Sequence, residues 1–182
     1  AVGGKIKSLE DIEKRLKVGA DKITLNTIAI NDPDFISIAA KEFGSQCIVI
    51  SIDAKINDDN YFVYNHKTSS STNLNVLEFS ELVENMGAGE ILLNSVDRDG
   101  LGGGYDLGII KKVSKKVNIP VISCGGVSEW SHFQEAFEQT KTDAVAAANI
   151  FHYRDQSVYL AKKYLMEQGS NVRKPDLITI NI

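Results

Sequence analysis

The chain has 182 residues, of which 43% are hydrophobic and 24% are charged, and its formal net charge at pH 7 is −4. This composition supports a folded domain with a substantial core, and the acidic balance argues against a nucleic-acid partner, because phosphate-backbone binding needs a concentrated excess of Lys and Arg. The sequence has no run of about 18 apolar residues and no signal-peptide pattern, so we expect a cytoplasmic protein that does not enter a membrane.

Short apolar segments alternate along the chain with amphipathic stretches of helical periodicity, which is typical of βα units and a parallel sheet. The predicted strands are a strand end at residues 1–2 and full strands at residues 22–27, 47–53, 90–95, 120–123 and 143–148. The predicted helices are residues 8–18, 33–43, 75–86, 107–117, 130–137 and 157–167. The polar insertion at residues 57–72 contains an alternating segment, residues 61–64, that predicts a hairpin.

Two segments of the chain repeat each other. Residues 19–27 match residues 87–95 almost position for position, and each copy covers a helix end, a turn and a strand. The pair Gly3-Gly4 likewise has a counterpart in Gly125-Gly126. Such a duplication favours a (βα)8 TIM barrel over a doubly wound open sheet, whose two edges would break the equivalence.

The predicted barrel is incomplete at its N-terminal side. A complete barrel usually takes about 250 residues, whereas this chain supplies five full strands and the end of one more. We therefore expect about six of the eight units, numbered 3 to 8, within residues 1–169, followed by a C-terminal tail at residues 170–182.

Carboxylates follow two of the predicted strands. Asp53 ends one strand, and Asp97 and Asp99 follow residues 90–95. Reactive groups of a βα barrel lie at the carboxyl ends of its strands, where two carboxylates in different environments can divide acid and base roles. Each Asp can also simply cap a turn, and Asp97-Arg98-Asp99-Gly100 can be a turn with a local ion pair.

The two glycine pairs each end a strand and precede a helix. Unhindered backbone N–H groups at such a place can hold a phosphate, and two copies predict a substrate with a phosphate at each end. Asn26, Thr27 and Asn149 end the strands that follow the two pairs and can add side-chain donors. The alternative is that the glycines serve only as turns.

The histidines and cysteines give little indication of chemistry. His66, His132 and His152 have no evident Ser, Cys or carboxylate partner, so structural roles are expected for all three. Cys47 and Cys124 lack the spacing of a disulfide framework or a metal site, although Cys124 directly precedes a glycine pair. Neither a metal ion nor a cofactor is expected.

Five segments, in this order, resemble the cyclase subunit (HisF type) of imidazole glycerol phosphate synthase, a barrel of the ribulose-phosphate-binding type. The resemblance extends over nearly the whole chain, to about Arg173. The segments are Phe43-Gly44-Ser45-Gln46-Cys47, Ser51-Ile52-Asp53-Ala54-Lys55, Gly87-Ala88-Gly89-Glu90-Ile91-Leu92-Leu93, Asp97-Arg98-Asp99-Gly100 and Gly104-Tyr105-Asp106.

The resemblance implies a lyase-type reaction of histidine biosynthesis. Ammonia attacks a bis-phosphorylated ribulosyl nucleotide, and the products are imidazole glycerol phosphate and an aminoimidazole carboxamide ribotide. Asp53 matches one of two acid/base aspartates, the other belonging to the first strand of the barrel, and Asp99 matches a supporting carboxylate. The positions that match phosphate or substrate contacts are Gly4, Asn26, Thr27, Asn94, Gly125, Gly126, Ala148 and Asn149.

The resemblance also implies a partner. Lys22 and Glu90, at the starts of two strands, match members of a charged gate at the base of the barrel, through which ammonia enters from a glutaminase subunit. We therefore expect a heterodimer with a HisH-type glutamine amidotransferase. A charged ring inside an apolar barrel is unfavourable unless it is paired, which supports a specific role.

Several positions of the substrate shell depart from the family pattern. Lys5 stands where a third glycine is typical, Asn94, Cys124 and Asn149 replace Thr or Ser, and Leu101 replaces Thr. These departures favour an alternative, a paralogue that docks a glutamine amidotransferase and channels ammonia for amidation of a surface-polysaccharide sugar. A phosphosugar isomerase of similar barrel type ranks last, because it does not explain the gate residues.

Overall fold

The computed structural model describes residues 1–153 and 157–175. Its strands are β1 Val2–Gly3, β2 Ile23–Leu25, β3 Ile48–Asn57, β4 Asn60–Asn65, β5 Ser70–Asn75, β6 Glu90–Ser95, β7 Val121–Cys124 and β8 Ala144–Val145. Its helices are α1 Leu9–Lys17, α2 Thr27–Asn31, α3 Asp34–Phe43, α4 Val76–Asn85, α5 Leu107–Lys116, α6 Trp130–Gln139, α7 Ile150–Tyr153 and α8 Val158–Glu167, with a 3-10 turn at Ser45–Cys47.

Six of these strands form a parallel sheet in the order β1-β2-β3-β6-β7-β8. The order follows the chain without reversal, as in a βα barrel, whereas a doubly wound sheet changes direction at a switch point. The predicted alternation of strands and helices is confirmed. The predicted hairpin is also confirmed, because β4 pairs antiparallel with both β3 and β5.

Several helices begin where a polar side chain accepts hydrogen bonds from the first turn, which satisfies N–H groups that have no partner within the helix. The oxygen of Ser8 accepts from the N–H of Asp11, as the sequence predicts. The helix predicted at residues 33–43 begins one residue later, at Asp34, without a side-chain cap. The other capping residues are Asn75 for α4, Asp106 for α5 and Ser157 for α8.

Several elements differ from prediction. The strands β2 and β8 are shorter than expected, and β2 ends at Leu25 because Asn26 begins the short helix α2. The helix α7 was not predicted either. In contrast, β3 is longer than expected because it continues from the parallel sheet into the hairpin, where Ala54 faces Val63.

Alternation within the strands separates a helix-facing side from an inner side. In β6, Ile91 and Leu93 are buried against the helices, whereas Glu90, Leu92 and Asn94 lie on the other face. The register places Asp53 of β3 opposite Asn94. One face of the sheet therefore carries charge at its amino end and polar side chains at its carboxyl end.

The division into a barrel at residues 1–169 and a tail stays a prediction, and residues 176–182 of that tail lie outside the described residues. Within the described ranges, the helices are all too short or too polar to cross a membrane.

Candidate active site at the carboxyl ends of the strands

Asp53 is a buried carboxylate held by amides from both neighbouring strands. The side-chain N–H of Asn26, after β2, donates to Oδ2 at 2.8 Å, and that of Asn94, on β6, donates to Oδ1 at 3.0 Å. Asn26 also donates to the backbone oxygen of Ser51 at 3.0 Å. Because both carboxylate oxygens are bound by donors from adjacent elements, the orientation of Asp53 is fixed. We call this end of the sheet, where the strands have their carboxyl ends, the mouth.

His66 reaches the same carboxylate from the hairpin. Its Nε2 lies 3.4 Å from Oδ2 of Asp53, and its ring packs edge-on against Tyr64 with the ring centroids 4.9 Å apart. The prediction that His66 has no carboxylate partner is therefore wrong. The reason is that β4 returns along β3 and places its last residues beside Asp53, a contact that depends on hairpin register.

Of the other two histidines, His132 has the structural role that was expected, and His152 is exposed. The Nδ1 of His132 accepts from the N–H of Ser128 at 3.3 Å, and His132 thereby supports the loop after β7. His152 is exposed on α7.

Cys124 and Asp99 complete the mouth. Burial, with the carboxylates of Asp99 and Asp53 adding to it, raises the pKa of the Cys124 thiol, although a backbone hydrogen bond from Gly125 opposes this. The thiol is therefore neutral near pH 7 and is not a thiolate nucleophile. Asp99 is exposed in the turn after β6, where its N–H donates to Ser95 at 3.0 Å. The structure thus brings Asp53 and Asp99 to the same end of the sheet, and both carboxylates act on Cys124.

Asp97 binds the backbone of the neighbouring strand β3. Its Oδ2 accepts from the N–H of Ile56 at 2.7 Å, and its Oδ1 lies 3.8 Å from Nζ of Lys55. Asp97 therefore lies in a turn, as the turn alternative has it, but its ion pair is with Lys55 of β3 and not within the turn.

The first predicted phosphate site lies at one cavity. Gly4, Asn26 and Thr27 all line a space of about 770 Å³, together with three lysines: Lys5, Lys7 and Lys67. Gly4 has a φ of +95° and an uncrowded backbone, which leaves room for a ligand close to the chain. Lys5 has a φ of +55°, a conformation that is strained for a residue with a side chain.

The second glycine pair serves close backbone packing. A Cβ on Gly126 would lie 2.2 Å from the backbone oxygen of Gly104, and one on Gly125 would lie 2.8 Å from Oδ1 of Asn94. Both glycines are buried, and the N–H of Gly104 donates to Gly126 at 2.8 Å. The turn alternative thus has a direct structural reason here.

Asn149 lines a different, smaller cavity of about 170 Å³ with Leu101 and Ser128, and Ala148 is exposed beside it. The structure therefore does not gather all residues of the second phosphate prediction at one cavity. A phosphate role for Ala148, Asn149 and the second glycine pair stays a prediction. In the described ranges, Oδ1 of Asn94 and Oγ of Ser95 are the buried side-chain polar atoms that have no hydrogen-bond partner.

The opposite end of the sheet carries an ion pair. Nζ of Lys22, directly before β2, contacts Oε1 of Glu90, the first residue of β6, and both side chains are partly buried. The pair spans the intervening strand β3 at the amino ends of the strands. The two predicted gate residues are therefore in direct contact. No cluster of three His, Cys, Asp or Glu side chains in the described part of the chain could hold a metal ion.

A parallel βα sheet whose polar side chains gather at the carboxyl ends of its strands is typical of a βα-barrel enzyme, because the active sites of such barrels lie at that end. The model of the family described as "Histidine biosynthesis protein" matches residues 1–157. This chain belongs to that family, which confirms both the resemblance and the incomplete TIM-barrel fold.

Two curated relatives are named as the HisF subunit of imidazole glycerol phosphate synthase. The protein of Hydrogenobaculum sp. (strain Y04AAS1) is 47% identical over 173 residues, which cover 94% of this chain and 69% of that protein. The protein of Geobacillus kaustophilus (strain HTA426) is 48% identical over 174 residues, again covering 94% of this chain and 69% of that protein.

Proposed function

We propose that this protein is the cyclase subunit of imidazole glycerol phosphate synthase, a lyase-type enzyme of histidine biosynthesis. Ammonia and a bis-phosphorylated ribulosyl nucleotide are its substrates, and imidazole glycerol phosphate and an aminoimidazole carboxamide ribotide are its products. The observation that carries the proposal is the inner face of the sheet, which has the Lys22–Glu90 pair at its base and the bound carboxylate of Asp53 at its mouth.

Asp53 is the acid/base group of this proposal. A carboxylate removed from bulk water and fixed by two amide donors meets the requirement of a proton-transferring group, which must keep one geometry relative to its substrate. Asp99 lies on the same mouth but is exposed, so we assign it a supporting electrostatic role.

The cavity beside Gly4 is the proposed site for one phosphate of the substrate. Asn26 and Thr27 offer side-chain donors there, and Lys5, Lys7 and Lys67 surround the same space with positive charge. Lysine ammonium groups and exposed backbone N–H groups are both suited to phosphate oxygens. The cations stand out in a chain whose net charge is −4.

The base of the sheet is the proposed entry for ammonia and the docking side of a glutaminase subunit in a cytoplasmic heterodimer. A partly buried ion pair contributes little net stability in itself, so its presence at the amino ends of the strands supports a role in passage or partner recognition. Both curated relatives are named as subunit HisF of imidazole glycerol phosphate synthase, so neither name supports the sugar-amidation alternative.

The proposal is tested by turnover of the ribulosyl nucleotide with an ammonium salt. Wild-type protein should form both products, and Asp53→Asn should lower kcat by at least about 100-fold, as expected for loss of a general acid/base group. Asp97→Asn is the matched control, because it changes a carboxylate at the same end of the sheet and keeps an acceptor for Ile56. Absence of turnover at saturating ammonia, or full activity of Asp53→Asn, would contradict the proposal.

A further inference from the structure

Asp53 is poorly placed to exchange protons with solvent by itself. Its side chain is only 9% exposed, and its two oxygens are bound by the amides of Asn26 and Asn94. An amide N–H group donates but does not accept a proton, so neither neighbour can carry a proton to or from the carboxyl group. A group that alternates between acid and base must nevertheless return to its starting protonation state in every turnover.

His66 links this carboxylate to water. Its side chain is 60% exposed, while its Nε2 lies 3.4 Å from Oδ2 of Asp53. An imidazole has two ring nitrogens, so one can face the carboxyl group while the other faces solvent. His66 therefore combines the two contacts that a proton carrier needs.

The hairpin holds His66 at this place. The residue follows Asn65, a buried side chain whose oxygen accepts from the N–H of Lys67 at 2.9 Å, which fixes the turn after β4. The ring of Tyr64 packs against the imidazole. Further back on the same strand, the hydroxyl of Tyr61 donates to both carboxylate oxygens of Asp106, at 3.1 and 2.9 Å. His66 is thus presented by an anchored element.

Charged and titratable groups around His66 come from several elements. From β3, the carboxylate of Asp53 faces its Nε2, and the ammonium of Lys55 lies 5.3 Å from the ring centroid of the intervening Tyr64. Lys67 follows His66 in the chain and lines the cavity beside Gly4. We call this the lysine-rich cavity, because Lys5 and Lys7 also line it. The imidazole thus contacts the acid/base group, and the next residue in the chain lines the proposed phosphate site.

We infer that His66 relays protons between Asp53 and solvent, an inference that rests on the proposed acid/base role of Asp53. When Asp53 has taken a proton from the substrate, the proton on Oδ2 passes to Nε2, and the proton on Nδ1 leaves to water. One proton enters the ring as one departs, so the imidazole ends neutral in its other tautomer and Asp53 is again ionised. The reverse sequence reprotonates Asp53.

The test is rescue of a truncated relay by free imidazole. In the ammonia-dependent reaction of the full protein, His66→Ala should lower kcat by at least about tenfold with KM nearly unchanged, because Asp53 remains in place. Added imidazole should restore kcat in proportion to its concentration. It should not restore activity to Asp53→Asn, and the variant His152→Gln, at an exposed histidine of α7, should show neither loss nor rescue. Wild-type kcat in His66→Ala, or a loss that imidazole does not restore, would overturn the relay.

A second readout does not depend on turnover. In ¹⁵N spectra of the histidine rings, Asp53→Asn should shift the Nε2 resonance of His66 and leave that of His152 unmoved. An unchanged His66 resonance overturns the relay. A shifted resonance in a protein without turnover overturns the proposed function alone and supports the His66–Asp53 proton contact.

Discussion

At the scale of single residues, Gly126 is a position where the fold tolerates no side chain. Its φ is +96°, and an added Cβ would lie 2.2 Å from a backbone oxygen. We expect Gly126→Ala to lower the free energy of unfolding by about 2 kcal/mol or more, from backbone strain and displacement of the neighbouring loop. Urea unfolding measures this.

Gly103 provides the matched control. An added Cβ there meets nothing within 4 Å, and the residue lies in the same loop as Gly104, the neighbour of Gly126. Gly103→Ala should leave the unfolding midpoint almost unchanged. Equal midpoints for Gly103→Ala and Gly126→Ala would contradict the role assigned to close backbone packing.

Lys67 is the cation that the hairpin adds to the lysine-rich cavity. If it contacts a substrate phosphate, Lys67→Ala should raise KM about tenfold, because a charge-assisted hydrogen bond contributes about 1.5 kcal/mol. Steady-state kinetics would show this, and Lys41→Ala, at an exposed position in the last turn of α3, should leave KM unchanged. An unchanged KM in Lys67→Ala would remove this residue from the site.

How far the site could be predicted depends on the kind of contact. Asp53, Asn26 and Asn94 end parallel strands or follow them, so their meeting follows from strand order once the strands are recognised. The contact of His66 depends on where β4 ends relative to β3, which alternation within the insertion does not determine. One signal was present in the sequence: the insertion after the Asp53 strand is long enough for a hairpin, which can bring a histidine back beside Asp53.

At the scale of elements, the hairpin is attached to α5 through Tyr61 and Asp106. Burial, the hydrogen bond to Asp106 and the charge of that carboxylate raise the pKa of Tyr61 to about 12. Asp106 also caps α5 by accepting from the N–H of Ile109 at 3.3 Å. The hydroxyl therefore connects the hairpin to the helix that follows the mouth.

We expect Tyr61→Phe to lower the free energy of unfolding by about 1 kcal/mol near pH 7, because a partly buried hydrogen bond is lost. The folded-state pKa lies above the usual value of 10, so the neutral hydroxyl stabilises the fold fully below pH 10, and this contribution disappears as the pH rises through about 12. Urea unfolding at several pH values should show the two proteins converging over that interval. A constant difference would contradict the attachment.

Strand and helix prediction succeeded where hydrophobic periodicity was long and failed where elements were short. The strand β6 has the predicted bounds, and the capped helices begin near the predicted residues. The helices α2 and α7 span five and four residues, too few for a periodic pattern. The shortening of β2 follows from α2, because Asn26 leaves the sheet to start that helix.

At the scale of the whole molecule, the two ends of one sheet carry different groups. Charge lies at the amino ends of the strands, at Lys22 and Glu90, and the proposed proton-transferring groups lie at the carboxyl ends, at Asp53 and His66. The internal duplication predicted the barrel class, because equivalent βα units fit a barrel better than an open sheet with two different edges. The central claim is that ammonia travels from the amino ends of the strands to their carboxyl ends.

That claim is tested most directly by following the amide nitrogen of glutamine. The protein is combined with the proposed HisH-type glutaminase subunit and is given the ribulosyl nucleotide and glutamine labelled with ¹⁵N at the amide, in a buffer that contains unlabelled ammonium. If ammonia passes through the base of the sheet without mixing with solvent, as proposed, imidazole glycerol phosphate will carry ¹⁵N in its ring. Product that carries only unlabelled nitrogen, or no product, would contradict the account.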